Sequence, residues 1–424
     1  MTAATHEVFA AADDHRRVVI IDDDPTGTHT ASDIDVVLRP DTAAFDTFLR
    51  GPRKAVFALS NTRGLPRSTA AAMVSGIAEQ ARTAAEAAGQ ELAFLLRGDS
   101  ALRGHVFPEM EAVAQNTSGL FVPAFLERGR FTRDGVHHIS IDGKAVPAAE
   151  TEFARDRVFG YRSHAIADWV DEVTQGRWKA RTVSLDALRE GGPTVVRDAL
   201  FDAGPHEVVV PDATEYSDLE TISEGLIAAE RSGKSVVVRC GVSFATVRAG
   251  LRARTIDEAR LGGRGRLLVI CGSVSETSTR QVDALGELAN RRIEMSTAAA
   301  IGGCPDMVGE LTSRIRAELA EHGVAVLSTE RSAHDGPDTP AVLLDSLTEI
   351  VSVVAPTVDS VIVKGGITSS RVATDGFKAR TATVAGQLMP GVPLWLLENR
   401  PFVVVPGSVG DDDALRRLVS AFAG

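Results

Sequence analysis

Short apolar runs that stop at glycine or polar, turn-prone residues alternate along this chain with longer Ala-rich segments of helical period. That alternation is how a parallel sheet with crossover helices reads. The first run, Arg17 to Ile21, opens into Asp22-Asp23-Asp24-Pro25-Thr26-Gly27. Ala55 to Leu59 opens into Ser60-Asn61-Thr62-Arg63, Leu92 to Leu96 into Arg97-Gly98-Asp99-Ser100, and Gly119 to Val122 into Pro123-Ala124-Phe125. Helix-forming composition behind a proline predicts a crossover helix over Pro66 to Ala88. The pattern lapses from Phe125 to about Gly176, where Arg128 to His138 is too polar and Gly-rich for a core element and reads as an excursion over the active face.

Alternation resumes with strands Glu207 to Val210 and Ser235 to Arg239 around a helix from Glu215 to Ser232. The Arg- and Gly-rich stretch 251–266 then interrupts it and reads as a linker. A second series follows: strand Leu267 to Cys271, helices Glu276 to Ala289 and Pro305 to His322, strand Val324 to Leu327, helix Ala341 to Val354 and strand Ser360 to Val363. The fold expected is α/β with two domains, 15–250 and 267–424, each built on a largely parallel sheet flanked by helices. In such sheets ligands bind beyond the carboxyl ends of the strands, where the polar segments gather.

Composition narrows the function. With 424 residues, 44% hydrophobic and 24% charged, the chain can bury more than one core. Its 57 acidic against 45 basic side chains, a net charge of −12, disfavour general binding to nucleic acid or an anionic membrane. The three cysteines have neither CxxC spacing nor an even count, so a disulfide framework or cysteine zinc site is not expected. Without an apolar leader in Met1 to Arg17, or an uninterrupted apolar run near the roughly 18–20 residues that span a bilayer, a cytoplasmic protein is expected.

The chemistry-bearing residues fall in two groups. In the first half, three successive carboxylates at a strand end repel one another and require a cation or donor cluster. Asp23, Asp24 or Asp99, fixed at the sheet edge, could accept a proton from a substrate hydroxyl. Arg63 and Arg103 offer planar donors suited to a carboxylate or phosphate, or could serve as structural partners for the aspartates. His105, His137 and His138 read as ordinary hydrogen-bonding residues. In the second half, Gly272-Ser273-Val274-Ser275, Gly365-Gly366-Ile367-Thr368-Ser369-Ser370 and Pro406-Gly407-Ser408-Val409-Gly410 are Gly/Ser turns of the kind that lets backbone N–H groups approach phosphate. Neither GxxxxGK[ST] nor a strand-linked GxGxxG occurs, which argues against a P-loop or Rossmann dinucleotide site.

These residues together resemble the four-carbon acid sugar kinases. Asp23-Asp24-Pro25-Thr26-Gly27 is similar to that family's Asp-Asp-x-Thr-Gly, Asp99 to Gly104 to its Asp-Ser-x-Leu-Arg-Gly, and Pro123 to Gly135 to its Pro-Ala-Phe…Gly-Arg-x-Thr-x-Asp-Gly. Ser273 to Gln281, Gly365 to Ser369, Pro390 to Pro393 and Gly407 to Gly410 follow in the same order. The resemblance implies an N-terminal sugar-acid domain, a C-terminal ATP domain, an active site in the interdomain cleft, and ATP-dependent, Mg²⁺-assisted phosphorylation of the terminal hydroxyl of threonate, erythronate or a 3-oxo-tetronate. It implies that Asp23, Arg63, Asp99, Ser100, Leu102, Arg103 and Gly104 bind the sugar acid. Ser273, Gly365, Gly366, Ile367, Thr368 and Gly407 would bind ATP. Asp23 is favoured over Asp24 and Asp99 as the base, the ligands of Mg²⁺ are unassigned, and a homo-oligomer is allowed. Two competing readings are a haloacid-dehalogenase-type phosphatase, using Asp22-x-Asp24-x-Thr26 and the acidic Gly410 to Asp413 loop, and a non-catalytic sugar-acid binder.

Overall fold

The computed structural model describes residues 14–252, 254–257, 261, 265–273, 275–330, 339–407 and 409–423. Val274, Ser408 and residues 253, 258–260 and 262–264 of the linker region lie outside the described residues. The chain forms two compact units. The first comprises the chain up to Asp24 and Pro40–Arg252, and the second Pro25–Arg39 with Ala253–Gly424.

The first unit holds seven parallel strands in the order Ala55–Leu59, Arg17–Asp22, Leu92–Arg97, Val236–Cys240, Ser118–Val122, Glu207–Pro211 and Lys179–Val183. Apart from the edge strand Lys179–Val183, their apolar residues are largely buried, as a parallel sheet covered by helices requires. The register aligns Asp22 with Leu59 and Arg97, and Cys240 with Arg97 and Val122. The polar segments after these strands therefore emerge along one carboxyl edge. The crossover helix Arg67–Ala88 lays Val74, Ile77, Ala78 and Ala81 into the core and ends at Gly89, whose φ of 63° takes the left-handed C-cap.

The stretch read as an irregular excursion is ordered in part as a second, antiparallel sheet of Arg130–Arg133, Val136–Ile141 and Lys144–Pro147. Two tight turns build it, Asp134-Gly135 and Asp142-Gly143. All four residues have positive φ, the backbone twist that joins strands by two residues.

In the second unit the order is Ile293–Met295, Val324–Thr329, Leu267–Cys271, Ser360–Lys364, Arg400–Val405, Val392–Leu397, Thr381–Met389 and Ile34–Val37. The first five strands pair in parallel and the last three pairings are antiparallel. Glu398-Asn399, with φ of 48° and 72°, turns one strand directly into the next. The segment Pro25–Arg39, which the sequence reading kept in the first domain, instead supplies this sheet's last strand. Trp395 fixes it by donating from Nε1 to Thr28 Oγ1 at 2.9 Å while stacking on Phe402. The helix expected over 276–289 breaks at Gly286 into Glu276–Asp283 and Glu287–Asn290.

Among the described residues one helical segment, Thr339–Thr357, is long and apolar enough to span a bilayer. It carries Asp345 and Glu349 and buries Leu347, Ile350, Val351 and Val354. The three cysteines are free, Cys240 and Cys271 buried and Cys304 exposed.

Candidate active site

At the carboxyl edge of the first sheet, the three aspartates after Arg17–Asp22 are separated by environment. Asp22 is fully buried. Its Oδ1 accepts from Arg97 Nη1 at 2.8 Å and from the Asp24 backbone N–H at 3.0 Å, while Oδ2 has no hydrogen-bond partner among the described residues. Burial, against the opposing pull of Arg97, pushes its carboxyl up to about 7. Arg97 also donates to the Asp24 carbonyl at 3.3 Å, so the Asp22 and Arg97 pair fixes the backbone that presents the next two carboxylates.

Arg63 joins those two. Its Nη2 donates to Asp23 Oδ1 at 2.7 Å and its Nη1 to Asp24 Oδ2 at 2.9 Å. Asp23 Oδ2 accepts from Arg239 Nη2 at 3.2 Å, and Arg239 Nη1 also donates to Glu109 Oε2. Glu109 Oε1 accepts from Thr62 Oγ1 at 2.6 Å, which closes a buried network behind Asp23. Asp24 is the most accessible of the candidate bases, its side chain 24% exposed against 2% for Asp23 and 8% for Asp99.

Asp99 begins the turn that follows Leu92–Arg97. It accepts from Arg103 Nε at 2.6 Å and faces Arg130 Nη1 at 3.5 Å. Burial would raise its carboxyl, but the fields of Arg63, Arg103 and Arg130 overcome that and hold it down at about 2. Leu102 is buried with φ 65°, a conformation that strains a bulky residue by about 1–3 kcal/mol. The sequence placed Leu102 in the sugar site; its contribution here is the backbone bend, with the side chain in the core. Gly104, at φ 106°, leaves room beside Asp23 Oδ2, 3.2 Å from where a Cβ would stand. Ser100 is buried too, its Oγ accepting from Arg130 and its carbonyl contacting His137 Nε2 at 2.7 Å.

Arg63 thus takes Asp23 and Asp24 as its partners, as one sequence reading allowed, while Asp22 goes to Arg97 and Arg103 pairs with Asp99 and Asp156. The sequence carried Arg97 within the segment after Leu92 to Leu96 and Arg130 within the Pro123 to Gly135 motif without giving either a partner, and it missed Glu109 and Arg239. The clearest available signal for Arg239 was a charge inside an otherwise apolar strand, Val236–Cys240.

In the second unit the three Gly/Ser turns converge. A Cβ on Gly272 would lie 2.6 Å from Thr368 Oγ1, one on Gly365 3.1 Å from the same atom, and one on Gly407 3.1 Å from Ser273 Oγ. At Gly272 a Cβ would force a shift, at Gly365 and Gly407 the facing hydroxyl would have to give by a few tenths of an ångström, and Gly365 also needs its φ of 116°. Gly366 begins the helix Gly366–Arg371, whose first N–H groups lack intrahelical acceptors. Ile367 is 65% exposed on that first turn. Ser278 Oγ lies 2.9 Å from both Ser273 Oγ and Ser275 Oγ. From beneath, the buried Lys364 donates to the carbonyls of Pro406 and Val409, and Gln281 Nε2 to those of Val409 and Asp411, which shapes the Gly407 turn. Burial lowers the Lys364 ammonium to about 8.

Such a glycine-walled, hydroxyl-lined turn cluster suits a nucleotide's phosphates. Magnesium finds no comparable cradle. Each carboxylate at the first sheet's edge faces a guanidinium, and among the described residues no group of three or more His, Cys, Asp or Glu side chains could hold a metal ion. The donor set does not fit an all-protein Mg²⁺ site.

A model of a sugar-binding N-terminal domain matches residues 18–248, and one of a nucleotide-binding C-terminal domain matches residues 268–415. Haemophilus influenzae protein HI1011, of the family designated DUF1537, is similar in fold, with a TM-score of 0.66 and 18% identity over 95% of this chain and 100% of that one. A Salmonella typhimurium LT2 protein provisionally named a tRNA synthase gives a TM-score of 0.67 and 16% identity over 96% and 99%. No curated protein matches the chain.

Proposed function

Because the chain belongs to the four-carbon acid sugar kinase family, we propose that it transfers the γ-phosphoryl of ATP to the terminal hydroxyl of a four-carbon sugar acid of the threonate, erythronate or 3-oxo-tetronate type. The observation that carries this reading is the Arg63 fork across Asp23 and Asp24. Two adjacent carboxylates repel one another, and a shared guanidinium offsets that repulsion and fixes both side chains. One of them can then accept the hydroxyl proton as the oxygen attacks phosphorus. Phosphoryl transfer asks little covalent work of the protein, so positioning and charge stabilisation dominate.

We assign the proton to Asp24. The sequence reading favours Asp23, but both Asp23 oxygens already accept from guanidinium groups and its side chain is nearly buried, whereas Asp24 is reachable. Asp23, Arg63 and the Asp99 to Gly104 turn form the sugar-acid site in this reading. Ser273, Gly365 to Thr368 and Gly407 cradle the phosphates of ATP. Mg²⁺ accompanies ATP as a phosphate counter-ion, and the enzyme works in the cytoplasm. The phosphatase alternative loses ground because its nucleophile, Asp22, is fully buried against Arg97.

An ADP-release screen with Mg²⁺, ATP and the stereoisomers of threonate, erythronate and 3-oxo-tetronate tests the reaction. Turnover on at least one is expected; inactivity on all, with hydrolysis of sugar phosphates, would overturn it. Asp24→Asn should keep both ligands bound and lower kcat at least about a hundredfold, the lower end of what a positioned base contributes. Near-normal kcat in that variant would return the role to Asp23 or Asp99.

A further inference from the structure

Arg130 lies outside the set that the sequence marked for the sugar acid, yet the antiparallel sheet that carries it is fastened directly to the Asp99 to Gly104 turn. Two bonds make that attachment: Arg130 Nη1 donates to Ser100 Oγ at 2.8 Å and His137 Nε2 lies 2.7 Å from the Ser100 carbonyl; beyond the sheet, Tyr161 Oη also holds the turn by donating to the Ala101 carbonyl at 3.0 Å. His137 is completely enclosed, and burial lowers its imidazole to about 4, so it stays neutral and the attachment does not loosen near neutral pH. The sheet therefore delivers one guanidinium to a fixed place at the sheet edge.

At that place positive charge is in excess. Arg103 and Arg130 both pack on the half-buried ring of Phe153, each guanidinium carbon 5.0 Å from its centroid. Two like charges on one ring repel. They share the carboxylate of Asp99, which Arg103 holds at 2.6 Å and Arg130 meets only at 3.5 Å. Asp156, 3.3 Å from Arg103, supplies the other nearby anion. Burial, with Arg103, Arg128 and Arg97 outweighing the help from Asp99, disfavours the charged form of Arg130. A second carboxylate brought to the pair would relieve this imbalance, and a planar fork is the geometry that recognises one.

We infer that Arg130, together with Arg103 on the Phe153 ring, receives the substrate's carboxylate and so selects sugar acids over uncharged sugars and polyols of the same length. This rests on the sugar-acid kinase reading above. It gives the small sheet a purpose: to select the acid end while Asp24 serves the hydroxyl end. A site built around a buried cation rejects a ligand that leaves the cation unpaired.

Calorimetric titration separates this inference from the reading beneath it, because binding needs no turnover. The four-carbon sugar acid that the wild-type protein binds most tightly, and the uncharged polyol of the same carbon skeleton, are titrated into wild type, Arg130→Gln and Arg130→Lys, with ATP as a second ligand. Wild type should prefer the acid. Arg130→Gln should weaken the acid at least about tenfold, leave the polyol nearly unchanged so that the preference collapses, and still bind ATP. Arg130→Lys, which keeps the charge without the fork, should restore part of the preference and guards against a Gln variant that fails to fold. Preference retained in both variants overturns the role of Arg130. Weakening of acid and polyol alike overturns it in favour of a purely structural role. Wild type that binds an acid tightly but never phosphorylates it defeats the kinase reading and leaves the carboxylate receptor standing.

Discussion

Gly98→Ala is the most economical test of the network behind Asp23. Gly98 does not sit in the left-handed region, so alanine suits its backbone and the whole effect must come from the added methyl group. That Cβ would stand 1.9 Å from Arg239 Nη2, 2.5 Å from its Cζ and 2.7 Å from its Nε. An arginine end is normally free to swing away. This one has a side chain only 2% exposed and is tied by Nη1 to Glu109 and by Nη2 to Asp23. Reaching ordinary contact at 3.4 Å requires a shift of about 1.5 Å, which takes the 3.2 Å bond to Asp23 out of range if the group moves away. Breaking a buried, hydrogen-bonded ion pair costs about 3–5 kcal/mol. For a domain of this size that lowers Tm by about 6–20 °C, measurable by calorimetry or denaturant melts. A double-mutant cycle identifies the cause. Arg239→Ala should destabilise to a similar degree, and adding Gly98→Ala to it should cost no more than about 0.5 kcal/mol. An unchanged Tm in Gly98→Ala, or full additivity in the cycle, would refute the account of Arg239 as a locked positioning group.

Two further outcomes follow from the same geometry. The raised Asp22 carboxyl means that the folded state holds a proton that the unfolded state gives up above 3.8, so this group's stabilisation is complete below pH 3.8 and lost as pH rises through about 7. Asp22→Asn should therefore flatten the stability change between pH 5 and 8 by at most about 2–3 kcal/mol in urea melts, whereas Asp99, held at about 2, contributes stability that is present above pH 3.8 and lost only toward pH 2. Gly365→Ala, placed at φ 116° with its methyl 3.1 Å from Thr368 Oγ1, should weaken ATP in calorimetric titration at least about tenfold while leaving sugar-acid affinity within a factor of about two; the reverse split would exchange the roles given to the two turn systems.

The parts of this protein that were legible in its sequence are those decided locally. Arg17–Asp22, Ala55–Leu59, Leu92–Arg97 and Leu267–Cys271 are apolar runs cut off by polar or glycine residues, and each cut coincides with a strand end that leads into candidate site residues. What escaped depends on partners distant in sequence. Arg239 and Glu109 lie 130 positions apart, in an apolar strand and a short helix, and neither segment alone says that its charge is buried against the other. The strand Ile34–Val37 pairs with Thr381–Met389, and Thr383 Oγ1 donates to Asp35 Oδ1 across 348 positions. The small sheet is a different failure. Asp134-Gly135 and Asp142-Gly143 are strong two-residue hairpin signals, but the surrounding polar composition hid them.

That failure and the electrostatics have a common cause. A carboxylate-rich edge cannot be assembled from one strand end, because adjacent aspartates destabilise one another unless cations arrive from elsewhere. Here the cations come from separate segments: Arg63 after the strand Ala55–Leu59, Arg97 from a core strand, Arg239 from another, Arg103 from the strained turn and Arg130 from the small sheet. Each is held by a bond or a glycine gap that a local reading sees as structural. In the proposed reading, a substrate anion entering this edge would meet arginines already engaged and would bind by taking a share of an existing ion pair. The affinity available at each arginine is set by how poorly its present partner holds it, and the 3.5 Å contact of Arg130 with Asp99, beside bonds of 2.6 to 2.9 Å at Arg103 and Arg63, marks Arg130 as the arginine with most to gain.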